Sequence, residues 1–135
     1  MDYVSGSHAS QSLVPPPSHQ SEVKTLLATL STSNMKSYLN NLTAFNNRYY
    51  NSTTGRDSAQ WIFDKLTNIT SESGKSGITV KKFTHSWVQF SVIARINGTT
   101  SGPVTILGSH QDSINLNSRE TGRAPGADDV RRFEL

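Results

Sequence analysis

A chain of 135 residues leaves room for one domain and excludes a second large one. Hydrophobic residues make up 33% of it while Ser and Thr fill 34 positions, so the core is expected to be thin and the surface rich in hydroxyls. The net charge of +3 comes from 13 scattered Lys and Arg, doubled only at Lys81-Lys82 and Arg131-Arg132, where a nucleic-acid surface would want clustering. Nucleic-acid binding is therefore set aside. No window approaches the roughly 18 consecutive apolar residues of a membrane span, which predicts a soluble chain without a membrane partner.

Residues 1–20 are rich in Ser, Pro and His, contain Pro15-Pro16-Pro17 and lack a periodic apolar pattern, so they read as a flexible arm or the remnant of a pro-segment. From Ser21 the spacing of Val23, Leu26, Leu27 and Leu30 predicts a helix, and from about Ser33 that of Met35, Leu39, Leu42 and Phe45 predicts a second. The two suggest a helical hairpin. After a turn-like Asn51–Gly55 stretch, Ala59, Ile62, Phe63, Leu66 and Ile69 mark a third amphipathic helix, closed by the loop Ser71–Gly77. The period then falls to two. Ile78, Val80 and Lys82 share one face of a strand ending near Thr84, and beyond His85-Ser86-Trp87 the alternation Val88, Phe90, Val92, Ala94, Ile96 predicts its antiparallel partner. Asn97-Gly98 offers turn chemistry, and Val104-Thr105-Ile106-Leu107-Gly108 is apolar without alternation, as a strand buried on both faces would be.

There is no cysteine, hence neither a disulfide framework nor a thiolate metal site. Asn-x-Ser/Thr occurs at Asn41, Asn51, Asn68 and Asn97, four times where this composition predicts about two or three, so glycosylation and mere polar composition both remain open. Residues 1–13 show no basic start followed by an apolar run, so no signal peptide is visible.

Chemistry in open α/β sheets gathers beyond the carboxyl ends of strands, which draws attention to His110-Gln111-Asp112 after the apolar run. At a spacing of two on extended backbone, His110 and Asp112 point the same way, an arrangement suited to a metal-binding imidazole steadied by a carboxylate. Further on, Ala124-Pro125-Gly126-Ala127-Asp128-Asp129 sets paired carboxylates in a tight loop, and hard or borderline cations favour such oxygens beside an imidazole.

Thr105-Ile-Leu-Gly-Ser-His-Gln-Asp-Ser-Ile-Asn115, followed by Ala124-Pro-Gly-Ala-Asp-Asp129, resembles the metal-site signature of the secreted two-zinc aminopeptidases, in particular the fungal leucine aminopeptidase type. The resemblance extends upstream through Ser18-His-Gln-Ser-Glu-Val-Lys24, Tyr49-Tyr50, Asp57-Ser-Ala-x-Trp61 and His85-Ser-Trp-Val-Gln-Phe-Ser-Val-Ile-Ala94. It implies a phosphorylase/hydrolase-like α/β fold, in which a mixed, mostly parallel sheet is sandwiched by helices, with residues 21–129 as its incomplete amino-terminal portion. It also implies a secreted hydrolase that removes residues from peptide and protein amino termini by means of two zinc ions. His110 matches a ligand to one zinc, Asp129 the carboxylate bridging both, and Asp112 the residue that orients the histidine.

Such a signature continues with a third Asp and Gly-Ser-Gly, and the peptide after the bridging Asp is cis; here Val130-Arg-Arg-Phe-Glu-Leu135 forms an unmatched tail. No residue matches the general base or the remaining zinc ligands. Glu120, between Arg119 and Arg123, reads as a solvated charge, Glu134 lies in the tail, His85 reads as structural, and His8 and His19 lie in the arm. The expectation is a fragment of a larger enzyme, holding half a metal site and inactive alone, with an uncovered strand edge prone to aggregation. The alternative is a non-enzymatic fragment that binds a full-length homologue through that edge.

Overall fold

A computed structural model describes residues 17–127. Of these, the residues up to Thr32 and those from Ser33 onward form two compact units. In the first, α1 spans Gln20–Leu27. Glu22 stands in its first turn, where a negative charge suits the helix dipole, and it pairs with His19 Nδ1 at 3.1 Å. The predicted apolar stripe is present but stays on the surface, with Val23, Leu26, Leu27 and Leu30 all exposed.

In the second unit, α2 (Thr32–Ala44) and α3 (Thr53–Ser73) follow the predicted periodicities. The turn-like Asn51–Gly55 stretch proves to be mostly the start of α3. Ser52 is its N-cap, its hydroxyl accepting from the Gly55 N–H at 3.0 Å, and Gly74, with φ of 61°, ends the helix in the left-handed conformation. Tyr38 of α2 meets Trp61 of α3 edge-on, with ring centroids 6.5 Å apart.

Strands β1 (Ile78–Phe83) and β2 (Ser91–Ile96) pair antiparallel, with Ile78 opposite Ile96, Val80 opposite Ala94 and Lys82 opposite Val92. The six residues thus share one face, as the alternation predicts, and α3 packs against both strands. Lys82 belongs to that face through its stem: its ammonium lies over the rings of Phe63 and Phe90, at 4.6 and 4.7 Å, and reaches Gln60 Oε1 on α3. The second strand begins three residues later than predicted. Before it, the Gln89 N–H donates to the Tyr50 carbonyl at 2.9 Å, so this stretch is tied to the residues before α3 and not to β1.

The expected third strand is absent among the described residues. Val104–Gly108 has no strand pairing, and Val104, Ile106 and Leu107 are 79%, 83% and 96% exposed. The reason is physical: a strand buried on both faces needs neighbours at its edges and cover above and below, and the two-stranded sheet and single packed helix offer neither.

The expected thinness of the core is plain. Tyr49 and Ala59 are the buried hydrophobic residues among those described, whereas Asn47, Arg48, Ser58, Gln89 and Ser113 are buried polar ones. No described helix is long and apolar enough to cross a membrane.

Candidate metal centre

The segment leaving α2, Asn46–Tyr50, anchors the irregular stretch from His110 to Gly126. Arg48 is 4% exposed, and its guanidinium donates through Nε to the Gln111 carbonyl (2.8 Å) and through Nη1 to those of Leu42 (3.1 Å) and Pro125 (2.6 Å). Nη2 adds a longer bond of 3.5 Å to the Gly126 carbonyl. Its main-chain N–H donates to the hydroxyl of buried Ser113 at 3.0 Å, and that hydroxyl donates to the Ala124 carbonyl at 2.7 Å.

Asn47, with no exposed surface, works one turn further along the loop. Its amide donates to the carbonyls of Glu120 (2.9 Å) and Gly122 (3.1 Å). Its carbonyl accepts from the Tyr49 N–H and from the hydroxyls of Ser52 and Thr54. In return Arg123 donates to the carbonyls of Phe45 and Thr43, both at 3.1 Å, supplying the positive charge that the last turn of α2 lacks. Gln89 secures the other side, its amide donating to the carbonyls of Arg48 (3.2 Å) and Gly55 (3.0 Å). No buried side-chain polar atom among the described residues is left without a partner.

Beside Tyr49 the ring of Tyr50 packs edge-on at 4.7 Å. The Tyr49 phenol is held above its ordinary value of 10.0, first by hydrogen bonding with Tyr50, then by desolvation and by repulsion from an ionised Tyr50, with Arg119 opposing.

On this support His110 and Asp112 meet. His110 Nδ1 lies 3.2 Å from Asp112 Oδ1 and 3.1 Å from the Asp112 carbonyl oxygen. Both are acceptors for a neutral imidazole, which assigns the proton to Nδ1 and leaves the Nε2 lone pair free to bind a cation. The side chains are 60% and 39% exposed, so the pair is open to a ligand. One imidazole with a carboxylate behind it fits a zinc ligand in chemistry, although the described residues hold no group of three His, Cys, Asp or Glu side chains.

The remaining residues of interest fall elsewhere. Asp128, Asp129, the peptide after Asp129, the tail 130–135, His8 and most of the arm lie outside the described residues. His85 stacks on Trp87 at 4.4 Å with its Nε2 bonded to Ser91 Oγ at 2.8 Å, a structural engagement. Glu120 is exposed, and its main-chain carbonyl is the part the structure uses. Asn41, Asn51, Asn68 and Asn97 are all exposed. The hub of Asn47, Arg48, Gln89 and Ser113 escapes a reading by periodicity. The one local sign is Asn46-Asn47-Arg48-Tyr49-Tyr50 itself, a polar run between two amphipathic helices that is too rich in hydrogen-bonding groups for a simple linker.

No protein-family model matches the sequence. In structure the chain is similar to LapB from Legionella pneumophila, with a TM-score of 0.75 and 25% sequence identity over 84% of this chain and 30% of that one. The three helices and antiparallel pair are therefore a small α/β arrangement matching part of a larger known fold. In sequence the chain is 54% identical over 113 residues to leucine aminopeptidase 1 of Penicillium rubens, covering 82% of this chain and 29% of that protein. It is 52% identical over 109 residues to leucine aminopeptidase 1 of Emericella nidulans, covering 79% of this chain and 28% of that one. With leucine aminopeptidase 1 of Aspergillus niger the figures are 47% over 126 residues, 90% and 32%. Over the matched residues this chain is a homologue of the fungal leucine aminopeptidases, and it spans slightly less than a third of their length.

Proposed function

We propose that this chain supplies the amino-terminal portion of a secreted, zinc-dependent aminopeptidase catalytic domain acting on peptide and protein amino termini. The observation that carries the proposal is His110 held by Asp112 at Nδ1, with Nε2 free, in a chain about half identical to leucine aminopeptidases. In this reading His110 would hold zinc through Nε2, Asp112 would fix the ring, and Asp129 would supply a further carboxylate to the metal site. Zinc bound there would acidify water and polarise the scissile carbonyl. Val104–Gly108 becomes a central strand of a mostly parallel sheet sandwiched by helices, paired on both edges once the rest of the domain is present. Secretion and glycans at Asn41, Asn51, Asn68 and Asn97 belong to the same reading; mass lost by the exported protein on glycosidase treatment would register them.

A catalytic four-coordinate zinc takes three protein ligands and a water, more than His110 and Asp129 provide for two ions. The chain alone should therefore fail to release leucine from a leucyl anilide in zinc-containing buffer. Turnover that disappears in His110→Ala would overturn the claim of inactivity, while zinc affinity unchanged by His110→Ala would remove the assignment of the ligand.

The exposure of Val104, Ile106 and Leu107 favours a second reading, in which this segment adds to a strand edge of a full-length homologue without catalysis of its own. Co-expression with such an aminopeptidase should then yield a hetero-complex that survives size-exclusion chromatography and has altered activity; self-aggregation with no complex rejects it.

A further inference from the structure

We propose that Arg48 is the positioning residue of the metal centre, locking from one buried point the two segments that carry His110-Asp112 and lead to Asp128-Asp129. The inference rests on the metal-site reading above and extends it to a residue 62 positions upstream of His110.

The argument begins with what Arg48 touches. Its side chain donates to main-chain carbonyls in three separate stretches: Leu42 near the end of α2, Gln111, and Pro125 with Gly126. A planar guanidinium can serve them together because its donors leave in fixed, divergent directions within one plane; an ammonium offers three donors from a single point and cannot span them. Carbonyl acceptors make the clamp indifferent to side-chain identity at 111 and 125, so what it controls is the path of the backbone.

That path decides the metal-binding geometry. Gln111 is held by its carbonyl on Arg48 and by its side-chain amide on the Phe90 carbonyl at 2.6 Å. Ser113 is held by the Arg48 N–H, which reaches both its hydroxyl (3.0 Å) and its carbonyl (3.3 Å). Asp112 therefore sits between two pinned neighbours, and its carboxylate and main-chain oxygen meet His110 Nδ1 from a backbone with little freedom to turn. On the other segment the clamp ends at Gly126, two positions before Asp128 in sequence.

An independent observation shows how closely that loop is drawn in. Gly126 has φ of 62°, and a Cβ there would lie 2.7 Å from both Arg48 Nη2 and Ser113 Cβ. The backbone passes too near the guanidinium for any side chain, in a left-handed conformation that other residues resist. Gly126 and Arg48 are two halves of one contact, which makes either one a handle on it.

The test compares the 135-residue wild-type chain with Arg48→Lys, Gly126→Ala and His110→Ala, each checked for its fold by circular dichroism and studied well below its unfolding temperature. Nitrogen NMR of the imidazoles reads the His110 tautomer without metal, and competition with a chelator then gives the affinity for zinc. Wild type should show the Nδ1-protonated tautomer alone; Arg48→Lys and Gly126→Ala should show both tautomers and bind zinc about tenfold more weakly or worse. A residue that merely stabilises the fold would lower the unfolding midpoint and move neither readout. Wild-type tautomer and zinc affinity in folded Arg48→Lys would overturn the proposal; if that variant does not fold, Gly126→Ala decides by the same two readouts. A wild-type chain that ignores zinc, or His110→Ala binding it as well as wild type, defeats the metal-site reading instead, and the tautomer still decides whether Arg48 sets the geometry.

Discussion

Gly55→Ala is expected to abolish the native packing at the start of α3, at a cost of about 4 kcal/mol or more, in the range reserved for severe core defects. Gly55 is buried in the first turn of α3, where the Asn46–Tyr50 segment crosses directly over it. A Cβ there would fall 1.9 Å from the Tyr49 carbonyl oxygen, 2.8 Å from its carbon and 3.2 Å from the Arg48 carbonyl oxygen. All three are main-chain atoms, so no side-chain rotation relieves the overlap, and the segment itself must withdraw. Withdrawal would also strain the bonds of Gln89, which donates from its main chain to the Tyr50 carbonyl at 2.9 Å and from Nε2 to the Arg48 carbonyl at 3.2 Å while holding the Gly55 carbonyl at 3.0 Å. Equilibrium urea unfolding measures the loss, with Gly102→Ala as the control, since a Cβ at Gly102 meets nothing within 4 Å. Equal midpoints for the two variants would show that the close approach at Gly55 does not exist in solution.

Asn47→Ala is expected to lower stability by about 3 kcal/mol and to release the loop from Asn115 to Ala124, because it removes one buried side chain that serves five partners at once. The Glu120 and Gly122 carbonyls lose a donor, while the Tyr49 N–H and the Ser52 and Thr54 hydroxyls lose an acceptor. The two hydroxyls retain other contacts, so the cost centres on the main-chain groups. Asn46→Ala is the matched comparison: its amide makes one exposed bond, to the Thr121 carbonyl at 2.9 Å, and its removal should cost about 1 kcal/mol. Hydrogen exchange locates the effect, with Asn47→Ala expected to lose protection at the Gly122 and Ala124 amides while the β1–β2 amides keep theirs below global unfolding. Protection at Gly122 and Ala124 unchanged from wild type would refute the assigned role of Asn47.

These two residues also mark the boundary of what is legible in the sequence. Helices α2 and α3 follow from apolar spacing within one element, as Leu39 and Leu42 or Ile62 and Leu66 show. The β1–β2 pair follows from alternation across a short connection, and even Lys82 on the apolar face is explained by its stem lying over Phe63 and Phe90. The resemblance to the fungal leucine aminopeptidases is equally local, carried by runs such as Ser109-His110-Gln111-Asp112, and the sequence matches support it. Val104–Gly108 is the counterexample. Its composition suits a buried strand, yet a strand is a pairing between distant segments, and the described residues provide no partner for it.

The amino-acid sequence by itself determined the helices, the antiparallel β1–β2 pair, the thin core and the proximity of His110 to Asp112, because each depends on residues close in the chain or on composition. Only the tertiary structure decided that the interior is organised by hydrogen bonds more than by apolar contact. The partners of Arg48 lie as far away as 77 and 78 positions, at Pro125 and Gly126, and those of Asn47 at 73 and 75. A buried polar residue carries no period and no propensity that distinguishes it from a solvated one. Its place is set by acceptors that come within reach after the chain has folded, which is why the anchor of the candidate metal centre becomes visible in three dimensions alone.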